Sequence, residues 1–235
     1  MPEPEPGRAG PRLRGRRIVI DPGHGGMDRG VTVAGVTEAG LVWDLARRLE
    51  GRAVATGVQA LLTRREDTCP TEAERARFAN AAAADLVLSL HVDGARSMHA
   101  EGLATFHFGR AGVGSAVVSP VGAALAGFLQ RELTSRTPMR DLGTQGRTWE
   151  LLRLTRMPAV RVELGYLTNL GDRRRLLDPV FRDVVAEGLL VAVKRLYLQG
   201  HDDQPTGTLR VSDVLAGELG STAPSSGPGG APPQP

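Results

Sequence analysis

Two histidines and two glutamates have the types and positions needed for metal-assisted hydrolysis. His24 lies in the glycine-rich segment DPGHGG, and His91 ends a short apolar run. Glu38 opens an amphipathic stretch, and Glu163 lies near the end of another apolar run. Two imidazoles and one carboxylate form a set that binds catalytic zinc and leaves the fourth position open for water. The sequence therefore predicts one Zn²⁺ per chain, held by His24, Glu38 and His91.

Glu163 has the features of a general base. It follows Val160, Arg161 and Val162 in a short predicted strand. Burying a carboxylate there is costly unless it has a partner or a catalytic task. A carboxylate beside the metal site can take a proton from water and pass it to a leaving amine. We therefore predict that Glu163 is the catalytic residue.

Each of these residues also has a simpler interpretation when it is taken alone. His24 could belong to a plain glycine turn, and Glu38 could be a carboxylate favoured by the dipole at a helix start. Glu163 could pair with Arg161, which shares its face of the strand. The remaining histidines are interpreted as structural: His99, His107 and His201. A shared site explains four polar groups at one sheet edge better than four separate explanations do.

Short apolar runs alternate with amphipathic stretches along the chain. The pattern predicts strands over 17–20, 58–62, 86–90, 103–108 and 160–164 and helices over 37–56, 71–84, 118–134 and 179–197. This alternation predicts a single α/β domain with a mostly parallel, twisted sheet and helices on both faces. In such sheets ligand-binding residues gather at the carboxyl ends of the strands. We therefore expect His24, His91 and Glu163 to meet at one edge.

Composition limits the function classes. The chain has 235 residues, of which 41% are hydrophobic, so it can form a core without disulfides. Cys69 is its only cysteine, which excludes an intrachain disulfide and a cysteine-based zinc site. The sequence has no apolar run of 18 or more residues, so no membrane span is predicted.

The basic charge is concentrated at the amino end. The net charge is +3, and residues 1–17 alone hold five arginines against two glutamates. With 4% aromatic residues and no basic excess elsewhere, the chain is not expected to bind nucleic acid. We predict a disordered basic arm over 1–15, a catalytic domain over 16–200, a peripheral segment over 201–220 and a disordered Pro/Gly/Ser tail over 221–235.

Four parts of the chain resemble the zinc-dependent N-acetylmuramoyl-L-alanine amidases of the amidase_3 family. They are Ile18–Gly26 (IVIDPGHGG), Glu38, Ala84–His91 (ADLVLSLH) and Met157–Asn169 (MPAVRVELGYLTN). The resemblance implies an α/β fold around a six-stranded sheet, one zinc ion and cleavage of the amide between N-acetylmuramic acid and L-Ala of peptidoglycan. It also places the family's metal ligands at His24, Glu38 and His91 and its catalytic glutamate at Glu163.

The chain departs from this family pattern at several positions. Val92 and Asp93 replace a frequent Ala-Asn pair, and Arg161 stands where an aliphatic residue is usual. Ala39 and Val42 stand where lysine and asparagine are frequent. The segments 146–158 and 194–198 resemble the CwlM-like branch of the family, in which some members with altered ligands are linked to regulation of wall synthesis.

These observations lead to three hypotheses. The first is a zinc amidase that acts on peptidoglycan or its fragments. The second is a catalytically weak or silent regulatory module that binds a wall precursor or a wall-synthesis protein. The third is a zinc exopeptidase, which the lack of a second carboxylate cluster disfavours. Residues 1–17 do not resemble a secretory signal. The chain as it stands is therefore expected to be cytoplasmic, or to act in the cell wall if it is exported by another route or begins elsewhere.

Overall fold

The computed structural model describes residues 13–109 and 118–198. Within them, six strands form one sheet: β1 (Arg17–Pro22), β4 (Gln59–Leu62), β5 (Leu86–Asp93), β6 (Leu103–Phe108), β7 (Asp141–Arg147) and β8 (Ala159–Tyr166). A separate hairpin pairs β2 (Thr32–Val33) with β3 (Val36–Thr37). The helices are α1 (Glu38–Ala55), α2 (Glu72–Ala81), α3 (Pro120–Arg136), α4 (Glu150–Leu154), α5 (Leu170–Leu177) and α6 (Pro179–Leu198).

The sheet has the strand order β4-β1-β5-β8-β6-β7. Neighbouring strands run parallel except β6 and β8, which are antiparallel. The predicted α/β fold, with about six mostly parallel strands and helices on both faces, is confirmed. Strands β1, β5 and β8 lie side by side, so their carboxyl ends open at the same edge.

Helix α1 shows how the sequence sets a boundary that matters for the site. Its N-cap is Thr37, whose Oγ1 accepts a hydrogen bond from the Gly40 amide at 3.2 Å. Leu41, Leu45 and Leu49 recur at helical spacing and are buried, which anchors the helix to the sheet. The cap fixes the start of the helix, and therefore the position of its first residue, Glu38.

Successive side chains of a strand point to opposite faces of a sheet. On the face that we call the core face, strand residues pack against α1, α3 and α6; they include Ile18, Ile20, Leu86, Leu88, Leu90, Leu103, Val160, Val162 and Leu164. On the opposite face, which we call the site face, apolar residues at the amino ends of the strands pack against α2 and α4; they include Val19, Val87 and Ala159. Towards the carboxyl ends, the site face becomes polar.

Several elements differ from the sequence-based expectation. The hairpin β2–β3, strand β7 and helices α4 and α5 were not predicted, and α2 ends at Ala81 rather than near residue 84. Leu13 packs partly against the core and the Gly15 amide donates to the Gly57 carbonyl, so contacts with the domain begin before residue 16. The predicted segments 201–220 and 221–235 lie outside the described residues. Over the described ranges, none of the helices is long and apolar enough to cross a membrane.

Candidate active site

The glycine-rich loop after β1 brings His24 back over the edge of the sheet. His24 adopts a positive φ of 57°, followed by Gly25 at 122° and Gly26 at 52°. A positive φ is uncommon for a residue with a side chain, and it marks a backbone held by its surroundings. At Gly23 an added Cβ would lie 2.2 Å from the His91 ring, so only glycine lets the loop pass this closely.

His24, Glu38 and His91 form one cluster of ligand atoms. His24 Nε2 lies 3.1 Å from Glu38 Oε1, and His91 Nδ1 lies 2.9 Å from the same oxygen. One ligand atom from each residue lies within 4.8 Å of the other two. Ligands of a tetrahedral zinc, each at ~2.0–2.2 Å from the metal, are roughly 3.3–3.6 Å apart. A slight opening of this cluster therefore fits a zinc ion.

Glu38 is fixed by the backbone as well as by the histidines. Its Oε1 accepts from the Val92 amide at 3.0 Å, and its Oε2 accepts from the Val31 amide at 3.1 Å. Burial raises the pKa of Glu38, but the hydrogen bonds with His24 and His91 outweigh it and hold the pKa far below the ordinary value. Glu38 is therefore an ionised carboxylate, as a metal ligand must be.

Asp28 orients the His24 ring. His24 Nδ1 lies 2.8 Å from Asp28 Oδ2, which leaves Nε2 facing Glu38. The hydrogen bond to Glu38 raises the pKa of His24, burial opposes it and Asp28 adds to the increase. A carboxylate on the outer nitrogen of a ligating histidine fixes the ring and strengthens its basicity. The carboxylate that fixes the His24 ring is therefore Asp28, four residues along the chain.

Asp21 instead anchors a buried arginine. Its Oδ1 accepts from Arg75 Nη1 at 2.8 Å and from Thr63 Oγ1 at 2.5 Å, and its Oδ2 accepts from Ser89 Oγ at 2.6 Å. Arg75 Nη2 then donates to the His24 carbonyl at 2.7 Å. Burial raises the pKa of Asp21, but Arg75 and the two hydroxyl groups outweigh it and lower the pKa. Asp21 thus holds the loop backbone through Arg75 rather than through an imidazole.

A second buried arginine, Arg64, ties the same loop to α1. Its Nε donates to the Pro22 carbonyl at 2.7 Å, and its Nη2 donates to the carbonyls of Gly23 at 3.0 Å and Ala39 at 3.1 Å. The guanidinium groups of Arg64 and Arg75 satisfy consecutive carbonyls of the loop that carries His24. Neither role is visible in the sequence, because arginines are usually exposed.

Glu163 lies beside His91, its register partner across β5 and β8. It is 7% exposed, and its Oε1 accepts from Arg161 Nε at 2.8 Å. Its Oε2 is buried without a hydrogen-bond partner among the described residues. Burial raises the pKa of Glu163, against the lowering effect of Arg161 and His91. The ion pair with Arg161, which was the simpler interpretation of Glu163, is present. It occupies only Oε1 and leaves Oε2 unpaired.

A cleft of about 330 Å³ opens onto the cluster. Its walls come from the loop after β1, the start of α2 and the site face of the sheet, and they include Gly23, His24, Asp28, Cys69, Pro70, Thr71, Glu72, His91 and Arg161. Three side chains that could hold a metal, an adjacent buried carboxylate and an open cleft together suit the addition of water to a polarised carbonyl. The remaining histidines lie elsewhere: His107 contacts the Phe108 carbonyl at 3.1 Å, and His99 lies in the loop after β5. His201 lies outside the described residues.

Residues 18–195 match the family model Amidase_3, described as N-acetylmuramoyl-L-alanine amidase. Two curated relatives carry the same description. The amidase CwlM of Mycobacterium tuberculosis is 52% identical over 215 residues, which cover 90% of this chain and 52% of CwlM. The amidase LytC of Bacillus subtilis is 30% identical over 175 residues, which cover 74% of this chain and 34% of LytC. The chain thus spans about half, or less, of the length of these relatives.

Solved structures share the fold. An N-acetylmuramoyl-L-alanine amidase from Clostridium difficile 630 superposes with a TM-score of 0.72 at 28% identity, covering 80% of this chain and 98% of that one. The amidase AmiC2 of Nostoc punctiforme gives a TM-score of 0.70 at 27% identity, covering 78% of this chain and 97% of that one. The match therefore extends over nearly the whole of these two chains.

Proposed function

We propose that this chain, which belongs to the Amidase_3 family of N-acetylmuramoyl-L-alanine amidases, hydrolyses the amide between N-acetylmuramic acid and L-Ala of peptidoglycan with one zinc ion. The observation that carries the proposal is the meeting of His24, Glu38 and His91 within 4.8 Å, with the free carboxylate oxygen of Glu163 beside them. Family membership supports the choice of substrate, and the geometry supports the division of roles.

The ligand set suits zinc in its donor types and in its surroundings. Two imidazoles and an ionised carboxylate are a well-attested set for catalytic zinc. His91 and Glu38 are buried, His24 is partly exposed, and both histidines line the cleft, so a zinc ion held by these residues would be reached from the cleft. When bound, zinc polarises the scissile carbonyl and lowers the pKa of water towards about 7.

Glu163 moves the proton in this scheme. Its free Oε2 takes one proton from water as the water oxygen bonds to the amide carbon. When the C–N bond breaks, Glu163 returns that proton to the departing nitrogen of L-Ala. The new acid on the muramoyl side gives up its remaining proton to the released amine. The products are therefore a carboxylate and an α-ammonium group, and Glu163 is ionised again. The raised pKa of Glu163 suits both steps, because the group must accept and then release a proton.

The proposal is tested by digesting purified peptidoglycan with the protein as isolated, after chelation and after Zn²⁺ is added back. We expect cleavage with bound zinc, loss of cleavage after chelation and recovery with Zn²⁺. Mass spectrometry should show glycan strands freed of stem peptides, with L-Ala as the new amino terminus. Undiminished cleavage by chelated protein would refute the zinc requirement, and stems cut at any other bond would refute the substrate assignment.

A further inference from the structure

Arg161 links the candidate base to an aromatic side chain on the site face. Its Nε donates to Glu163 Oε1 at 2.8 Å, and its guanidinium carbon lies 4.6 Å from the centroid of the Trp149 ring. Its Nη1 lies 3.6 Å from Glu72 Oε1 at the wall of the cleft. These three contacts hold the guanidinium next to Glu163, at the wall of the cleft.

We propose that Arg161 is a positioning residue for Glu163, an inference that rests on the proposed function of Glu163 as general base. The hydrogen bond from Arg161 occupies Oε1, so the buried Oε2, which has no hydrogen-bond partner among the described residues, is the oxygen left to act as the base. A free carboxylate can rotate about its terminal torsion, which is broad and roughly two-fold. The Arg161 bond selects one orientation and holds it before substrate arrives.

The strand geometry makes this arrangement specific. Arg161 and Glu163 are two residues apart on β8, so their side chains share the site face. Trp149 is supported in turn by the Phe106 ring, whose centroid lies 4.8 Å from its own. A planar guanidinium can donate from Nε while it stacks on an aromatic face, whereas a lysine ammonium can do only one of these well. The position therefore calls for arginine rather than for any cation.

Two other roles would leave different signatures. If Arg161 only compensated the charge of a buried carboxylate, its loss would alter stability and spare the geometry of catalysis. If Arg161 bound substrate directly, its loss would raise KM whether or not Glu163 was present. A residue that acts through Glu163 should change kcat, and its effect should disappear once the base is removed.

A double-mutant cycle of Arg161→Met and Glu163→Gln, assayed on a soluble muramoyl-peptide, separates these roles. Arg161→Met alone is expected to lower kcat by about 10- to 100-fold with little change in KM, because the base is displaced from its productive position. In the Glu163→Gln background the same substitution should change kcat by less than about twofold. Arg161→Lys should recover part of the loss, since it restores charge without the stacked geometry.

Arg77→Met is the matched control, since Arg77 is 71% exposed on α2 and pairs only with Glu74 at 3.8 Å within the described structure. It should leave kcat and KM unchanged. A rise in KM in both backgrounds, or an equal loss of kcat in both, would overturn the positioning role. Crystal structures of the parent and of Arg161→Met give an independent readout, in which a Glu163 side chain with unchanged orientation would also overturn it. If the parent shows no turnover, the proposed function fails, and the crystal structures still decide whether Arg161 orients Glu163.

Discussion

The core face and the site face of the sheet are built from the same strands. The core face packs against helices and stabilises the fold, whereas the site face carries the candidate active site. On β5, Leu88 and Leu90 are fully buried against the helices of the core face, whereas Ser89 and His91 point into the site face. On β8, Val162 and Leu164 alternate with Arg161 and Glu163 in the same way. The period-2 alternation of strands lets one sheet separate stability from chemistry residue by residue.

The two faces contribute differently to the stability of the fold. Burial of a large apolar side chain stabilises a fold by roughly 1.5–3 kcal/mol, so the core face is a source of stability. The buried ion pair of Asp21 and Arg75 on the site face costs desolvation that its attraction only balances. That pair instead fixes the loop carrying His24. We therefore expect damage to the core face to lower stability alone, whereas damage to the site face also reaches metal binding or activity.

The largest effect on zinc binding and activity is expected from removing His91, a predicted ligand on the site face. His91→Ala leaves two protein ligands, which are too few to hold zinc firmly, so stoichiometric zinc and measurable activity should both be lost. His99→Ala is the matched control, because His99 is exposed and outside the cluster, and it should keep one zinc per chain. Full zinc occupancy of the His91→Ala protein, measured by elemental analysis, would break the assignment.

The next largest effect is a loss of stability, expected when Arg75 is removed from its buried ion pair with Asp21. Arg75→Met leaves Asp21 buried without its charged partner, at a cost of about 3–5 kcal/mol in the free energy of unfolding. It also removes the Arg75 donor from the His24 carbonyl and leaves the Pro22 carbonyl with the donor of Arg64. Adding Asp21→Asn removes the stranded charge and should recover part of this loss. Urea unfolding curves of both variants measure the difference, and a double variant no more stable than Arg75→Met would contradict the pairing.

Because of the same ion pair, we expect the free energy of unfolding to depend on pH. The folded-state pKa of Asp21 lies below its unfolded value of about 3.9, so its contribution is complete above that pH. The contribution is lost as the pH falls through the folded-state pKa. The parent should therefore lose more of its unfolding free energy in acid than the Asp21→Asn/Arg75→Met variant does. Parallel acid-dependence curves for the two proteins would show that the pair contributes nothing.

A further loss of stability is expected from a substitution on the core face at Leu88, three residues before His91. Leu88→Ala removes a fully buried side chain and should cost about 2–5 kcal/mol of unfolding free energy. Because Leu88 points away from the cluster, the folded protein should keep one zinc and its turnover rate. Loss of zinc at a temperature where Leu88→Ala remains folded would show that the two faces are not independent.

Local signals in the sequence predicted much of this architecture. Thr71 and Glu74 form a capping box at the start of α2, with the Thr71 amide donating to Glu74 Oε2 at 2.8 Å. Helix α1 spans Glu38–Ala55, within one residue of the predicted range 37–56 at each end. His24, His91 and Glu163 meet at one edge because parallel strands end there, and the start of α1 brings Glu38 to the same edge. Their roles as ligands and base stay predictions that the experiments here test.

What the sequence could not predict depends on contacts far along the chain. Strand β7 contains Gly143 and Gly146 and lacks an alternating apolar pattern, so only pairing with β6 reveals it. Helix α4 has five residues, too few for a periodic signal. Arg75 occupies a polar helix where an exposed arginine is the normal expectation, and its partner Asp21 lies 54 residues earlier. Only the fold shows that this arginine holds the loop of His24.

The most direct test of the central claim is the zinc content and turnover of Glu163→Gln. Glutamine keeps the shape and an oxygen that can accept from Arg161, but it cannot take a proton at neutral pH. We expect Glu163→Gln to hold one zinc per chain, as the parent does, and its turnover to be lower by ~10²–10⁴-fold. Loss of zinc from Glu163→Gln would make Glu163 a ligand instead of the base, and parental turnover would remove it from the mechanism.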